Sequence, residues 1–171
     1  MEQFLELAKA RYSVRKYKPD PVEQEKIDKI VEAGLVCPTA HNYQPQKIYV
    51  IRSEENRKKL AQICTCTFDA PLIFAIGYDE TLASKPDFRP TGFGETDAAI
   101  VCTQMMLEAA DLGLGACWVG MFVNAEVKKV LDIPENITIC NLLPVGYAAE
   151  NAHPSRLHST FRAPEEIVFE R

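Results

Sequence analysis

The chain has 171 residues, 47% hydrophobic and 25% charged, with a net charge of -5. That is enough for one domain with its own core, in ordinary globular proportions. The acidic balance argues against a general nucleic-acid binder, which needs a basic excess to track phosphates, but leaves room for a local basic pocket for a small anion.

Phe4, Leu5 and Ala8 recur at helical spacing and predict a first helix to about Arg11. Lys18-Pro19-Asp20-Pro21 breaks the chain. Ile27, Ile30, Val31 and Leu35 mark one face of a second helix, which must stop before Pro38 because the residue before a proline avoids helical dihedrals. Ile48, Val50 and Ile51 place a strand over 47–52, followed by a surface helix over 54–64 and a buried apolar strand over 71–78. Residues 81–93 are polar, with two prolines and Gly92, and read as a loop. The longest helical pattern runs from Glu95 to Leu112; it is apolar on most sides and so central, and Gly113 ends it. A short strand is expected over 117–119. Asn124 would cap a helix that ends before Pro134. A strand over 138–147, an irregular stretch over 151–164 and a last strand over 167–169 complete the chain.

No apolar run approaches the roughly 18 residues of a membrane span. Met1-Glu2-Gln3 leads into a stretch with charges inside it, not an apolar leader, so the expected compartment is the cytoplasm. Six cysteines, Cys37, Cys64, Cys66, Cys102, Cys117 and Cys140, include no C-x-x-C. Zinc sites usually use two close ligand pairs, and only Cys64 and Cys66 are close, so no metal is expected. The cysteines read as small buried thiols in a reducing compartment. The G-x-G-x-x-G of dinucleotide folds and the P-loop are absent. Leu112-Gly113-Leu114-Gly115 follows a helix and leads into a strand, the reverse of a Rossmann turn.

Three stretches carry groups suited to chemistry. Arg11-Tyr12-Ser13-Val14-Arg15 offers two guanidiniums and a hydroxyl that could converge on a phosphate, or it is a basic helix end complementing the dipole. Cys37-Pro38-Thr39-Ala40-His41-Asn42-Tyr43-Gln44-Pro45 packs a hydroxyl, two carboxamides and an imidazole between stiffening prolines. Carboxamides both donate and accept, which suits a flavin ring edge; the alternative is an ordinary capped turn. Gly115 and Gly120 bracket Trp118 and Val119. They either allow a ligand close to backbone or belong to a helix stop and a strand with a core tryptophan. The tail after Tyr147 has few apolar residues until Ile167; it either lies on its own subunit or crosses to a partner.

In this order and spacing the stretches resemble the FMN-dependent nitroreductase family, over essentially the whole chain. Arg11, Ser13 and Arg15 meet its R-x-S-x-R/K opening. Pro38, Thr39, Asn42, Gln44 and Pro45 meet its P-S/T-x-x-N-x-Q-P loop. Asp97 to Gly115 meets its central helix and L-G-L-G turn, Trp118 and Gly120 its W-x-G, and Arg162, ahead of Pro164 and Ile167, its late arginine. The resemblance implies one α+β domain over 1–171, three-layered α/β/α around a mostly antiparallel sheet, in a homodimer whose arm 148–171 reaches the partner.

It further implies that Arg11, Ser13 and Arg162, with Tyr12 in the same segment, hold the phosphate of FMN. Arg15 would meet the N1–C2=O edge, where a fixed cation raises the potential. Pro38, Thr39, Ala40, Asn42 and Gln44 would come from the other subunit, and backbone at Val119 and Gly120 would face N5 and O4. The implied activity is ping-pong hydride transfer from NADH or NADPH, through flavin N5, to nitroaromatics, quinones or similar small electrophiles. Flavin storage, dehalogenation or flavin breakdown are the alternatives on the same fold. No side chain need act as nucleophile or base, and a loop histidine such as His41 is more often solvated or capping.

The sequence departs from the family pattern at three places. Gln46 stands where an aromatic residue is common and Thr160 where a second basic residue often precedes the late arginine. The stretch from Cys64 to Pro71 lacks the usual Asn or Gln with Lys. The chain is also short for the family, which leaves Asp79 to Phe93 as the candidate lid, with Phe88 or Phe93 over the flavin.

Overall fold

The computed structural model describes residues 2–171, and Met1 lies outside them. In chain order the elements are α1 (Glu2–Ala10), α2 (Gln24–Leu35), β1 (Gln46–Ile51), α3 (Glu54–Ile63), β2 (Leu72–Asp79), α4 (Gly94–Asp111), β3 (Gly115–Ala116), α5 (Asn124–Leu131) and β4 (Ile137–Gly146). The four strands form one antiparallel sheet in the order β1-β2-β4-β3, and Ser13 adds a parallel bridge outside β3, at Ala116.

β2 and β4 are apolar at nearly every position because both of their faces are covered. Leu72, Phe74 and Ile76 of β2 meet α2 and α4 on one side. Ile73 and Ala75 meet Leu60 of α3 and Val127 of α5 on the other. In β4 this alternation changes phase. Ile139 and Leu142 share a face although three residues apart, because Gly77 pairs with Ile139 and Ile76 with Asn141, leaving Cys140 bulged between them. Gly77 permits the bulge: a Cβ there would lie 2.0 Å from the Thr138 carbonyl oxygen. The result is three layers, α2 and α4, the sheet, and α3 and α5.

α4 closes as the sequence requires. Gly113 takes φ +76°, its N–H bonds the Ala110 carbonyl at 3.0 Å, and Leu114 N–H bonds that of Ala109 at 2.8 Å. This turn delivers the chain directly into β3.

Four expectations are corrected. The strand expected over 117–119 lies two residues earlier, and Val119 joins β4 only as an isolated bridge to Leu142. Asn124 is the first residue of α5 rather than its cap; its Oδ1 accepts from Ile139 N–H at 2.9 Å, tying the helix to β4. Leu35, expected on the buried face of α2, is exposed. No strand forms over 167–169. A short 3-10 turn occupies Pro164–Glu166, and a strand needs a neighbour that this chain alone does not provide there. Among the described residues no helix is long and apolar enough to cross a membrane.

Candidate functional site

The segment after α1 runs extended along the sheet edge. Val14 N–H bonds the Ala116 carbonyl at 3.0 Å, and the Val14 side chain is buried. Alternation along an extended chain then explains the spacing of Ser13 and Arg15, on either side of Val14, whereas Arg11 still closes α1, its N–H on the Leu7 carbonyl at 2.9 Å. Gly115 serves the packing of Val14, since a Cβ there would lie 2.6 Å from Val14 Cγ2. The Tyr17 hydroxyl lies 2.8 Å from the Val14 carbonyl and 3.1 Å from that of Pro144, stitching the segment to β4. Burial raises the Tyr17 pKa far above its ordinary value, so this donor keeps its proton.

Cys117 lies against this segment, a position the sequence gave no reason to single out. Burial pushes its thiol up, and Arg15, the Ser13 hydroxyl and Arg11 pull it part of the way back. Arg11 lines a separate cleft, with Tyr12, Val14 and Gly115. Arg15 is exposed and also donates to the Ser13 carbonyl at 3.2 Å. Ser13, Arg15 and Lys16 border a cleft of about 220 Å³, closed on its other side by Asn151, Ala152, His153 and Ser155.

The tail divides in two. Its first half lies on its own subunit: Ala149 N–H bonds the Lys16 carbonyl at 3.0 Å, and the His158 ring meets Tyr12 edge-on at 6.2 Å. From Phe161 onward every residue is exposed. Arg162 pairs only with Glu166, at 3.5 Å, and no described contact brings it to Arg11 or Ser13.

Loop 38–45 stands apart, on the N-terminal end of α4. Thr39 Oγ1 accepts from Gln44 N–H and Asp97 Oδ1 from Ala40 N–H, both at 3.0 Å. His41 Nδ1 lies 3.0 Å from Ser84 Oγ. His41, Asn42 and Gln44 take φ of +54°, +55° and +51°, a left-handed conformation unfavourable to residues with a side chain. Pro38, Asn42 and Gln44 are exposed, with Thr39 and Ala40 half-buried beneath. No described contact joins this loop to the Arg11–Arg15 segment.

Val119 is buried, and its N–H and carbonyl are both paired with Leu142 at 2.9 Å, so it positions the backbone that follows. Gly120 is exposed, and no described partner takes its N–H. Beside it opens a cleft of about 580 Å³, lined by Trp118, Gly120, Phe122, Glu95 and Asn141 among others. Trp118 is 40% exposed, so it is not a core tryptophan. Asn141 Oδ1 is buried there without a partner. In the segment over 79–93, Phe88 is 84% exposed, while the Phe93 ring stacks under the Arg89 guanidinium at 4.1 Å. The six cysteines are free, and among the described residues no three His, Cys, Asp or Glu side chains group as a metal site.

A larger cavity lies elsewhere. It is an open trough of about 830 Å³ between α1, α2 and α4, with Phe4, Leu7, Ala33, Val36, Ile100 and Leu107 in its walls.

Comparison with known proteins places this arrangement. The model of the nitroreductase family matches residues 8–72 and 65–147. A relative from Methanothermobacter thermautotrophicus bearing the name NADH dehydrogenase/NAD(P)H nitroreductase is 32% identical over 167 residues, spanning 90% of this chain and 85% of its own. The crystal structure of a nitroreductase family protein from Clostridium difficile 630 superposes with a TM-score of 0.90 at 34% identity, covering 96% of each chain. A protein of Clostridium difficile R20291 described as an FMN-dependent nitroreductase superposes with a TM-score of 0.81 at 27% identity, covering 100% of this chain and 99% of its own.

Proposed function

The chain belongs to the nitroreductase family and is an oxidoreductase; from that premise we propose that it uses FMN to carry electrons from NADH or NADPH to nitroaromatics, quinones or similar electrophiles. The observation that carries the proposal is the placement of Ser13 and Arg15 on one cleft at the sheet edge, with Arg11 only two residues before Ser13 on the same segment. Two guanidiniums and a hydroxyl within five residues form a donor set for a phosphate and an electron-rich ring edge, which is the chemistry FMN presents. When bound, FMN would supply the ring that accepts and passes on a hydride.

The chain's own residues bind and orient. Arg11 and Ser13 hold the phosphate, joined by Arg162. Arg15 keeps a fixed positive charge for the N1–C2=O edge, and the free Gly120 N–H serves the N5–O4 side. The carboxamides of Asn42 and Gln44 are exposed, and neither side chain is spent on a hydrogen bond within the described chain. They belong to the wall of the site on the neighbouring subunit of a homodimer. Two further features favour that dimer. The trough between α1, α2 and α4 is apolar and open. The distal arm exposes Phe161, Ile167, Val168 and Phe169. Covering both would remove a large apolar area from water, and an exchange of arms between subunits does so.

The test is anaerobic mixing of the FMN-loaded protein with NADH and with NADPH, followed by a panel of acceptors. Bleaching of the flavin absorbance and its return with acceptor are expected. A flavin that neither donor bleaches would remove the proposal that NADH or NADPH reduces it.

A further inference from the structure

Asp97 is a charged residue in the interior, 2% exposed in the first turn of α4. Among the described residues its side chain makes one hydrogen bond, accepting at Oδ1 from Ala40 N–H at 3.0 Å. Oδ2 is buried with no partner. Burying a carboxylate is costly, and one neutral donor does not compensate it; the positive end of the α4 dipole supplies part of the remainder. A group held at that cost, on one contact, calls for a function at the other end of the contact.

That other end is the start of the stretch with the most left-handed residues other than glycine among the described residues. Ala40 is followed at once by His41 and Asn42, and then by Gln44, all three left-handed without being glycine. Left-handed backbone at such residues persists where surrounding contacts over-determine it. Three side chains contact it: Asp97 on Ala40, Thr39 on Gln44, and Ser84 on His41. Thr39 lies within the loop itself, and Ser84 lies in the irregular segment between β2 and α4. The last residue of the loop is tied to β2, where the Pro45 carbonyl accepts from Asp79 N–H at 2.8 Å. Of the three side chains Asp97 alone belongs to a long core helix, so it is the side-chain anchor that refers the start of the left-handed stretch to the rigid body.

We propose that Asp97 is a positioning residue: its buried carboxylate holds loop 38–45 in its strained form, so that the loop is a preformed wall for the flavin of the neighbouring subunit. The proposal rests on the FMN reading given above. Its distinctive consequence is that Asp97 acts in trans. The flavin weakened by its loss is the one gripped by the partner's Arg11, not by its own.

The experiment is FMN titration of the apo dimer by quenching of flavin fluorescence. Asp97→Ala should weaken FMN by about tenfold, the scale of one hydrogen bond. Asp97→Asn keeps an acceptor for Ala40 N–H and should restore most of that affinity. Ala40→Pro deletes the same bond from the donor side and should match Asp97→Ala. A mixed dimer of one Asp97→Ala subunit and one Arg11→Ala subunit, purified on two tags, contains one site with both elements intact and should bind one FMN with wild-type affinity. It also gives an answer if Asp97→Ala alone does not fold. Wild-type affinity in Asp97→Ala or Ala40→Pro, or a mixed dimer without a tight site, overturns the proposal. A wild-type dimer that binds no FMN overturns the functional reading and this proposal with it. A wild-type dimer that binds FMN no better than Asp97→Ala overturns this proposal alone.

Discussion

The two halves of the candidate site are built on opposite principles. The Arg11–Arg15 segment is relaxed: it extends along β3, buries Val14 and exchanges backbone hydrogen bonds with a neighbour. The spacing of Ser13 and Arg15 follows from strand alternation alone. Loop 38–45 is strained: it has three left-handed residues and anchors reaching in from α4 and the segment before it, and meets a strand only at its last residue, Pro45. The first half is held by what a sheet edge does anyway. The second is held against its own preference, so its shape depends on particular side chains elsewhere.

This comparison is most easily broken at Arg11. In the relaxed half the backbone stands without the guanidinium, so Arg11→Ala should leave the melting temperature unchanged while weakening FMN by about 1.5–3 kcal/mol, the scale of a charge-assisted hydrogen bond. Calorimetric titration checks it, and an unchanged dissociation constant would remove the phosphate role. Val14→Ala asks the converse. It deletes buried methyl groups beneath the segment and should cost about 1–3 kcal/mol in urea unfolding, with FMN affinity falling only as far as the segment itself loosens.

The same contrast explains what the sequence made legible. Most helices and strands, the apolar core of the central strands and the α4 turn follow from hydrophobic period and Gly113, and were readable; the three layers came from the family resemblance. The R-x-S-x-R spacing was readable too, because it is local. Cys117 was not, since only the pairing of Ser13 with Ala116 brings it under Arg15. The phase change at Cys140 was hidden because a bulge depends on the partner strand, here on Gly77. Asp97 was matched only as the start of a helix. Nothing in its neighbours reveals that Ala40, 57 residues away, lies on its carboxylate. The strand expected over 167–169 failed for the same kind of reason: apolar alternation specifies a face but not the neighbour that must cover it.

Smaller effects should sharpen the difference in strain. At His41, glycine removes a left-handed penalty of about 1 kcal/mol. It also adds backbone entropy to the unfolded chain, at about 0.5–1 kcal/mol, and loses the Ser84 contact. His41→Gly should therefore change stability by less than about 1 kcal/mol. Ser13→Gly, on extended backbone, has no strain to relieve and should only destabilise. Equal losses at the two positions in parallel urea melts would argue that the loop is not strained in solution.

The smallest predicted effect is a pH dependence confined to the loop side. Asp79 opens the segment that carries Ser84. The Thr81 hydroxyl donates to Asp79 Oδ1 at 2.6 Å and Thr81 N–H at 3.0 Å, holding the carboxyl below its ordinary pKa. A carboxylate whose pKa is lower folded than unfolded stabilises the fold above the ordinary value, near about 4, and loses that contribution as pH falls through the lowered one. Acid should therefore loosen the segment over 79–93, and with it the Ser84 contact to His41. The Arg11–Arg15 segment has no such dependence, because its anchors are backbone groups and a Tyr17 hydroxyl that stays protonated. Thr81→Val removes the stronger donor and should shift the loosening to higher pH. Hydrogen exchange followed from pH 6 to pH 3, after correction for intrinsic rates, should show protection lost at residues 39–44 before residues 13–17. Simultaneous loss in both would mean that the two halves are one cooperative unit, and that the strain in the loop is shared with the sheet edge.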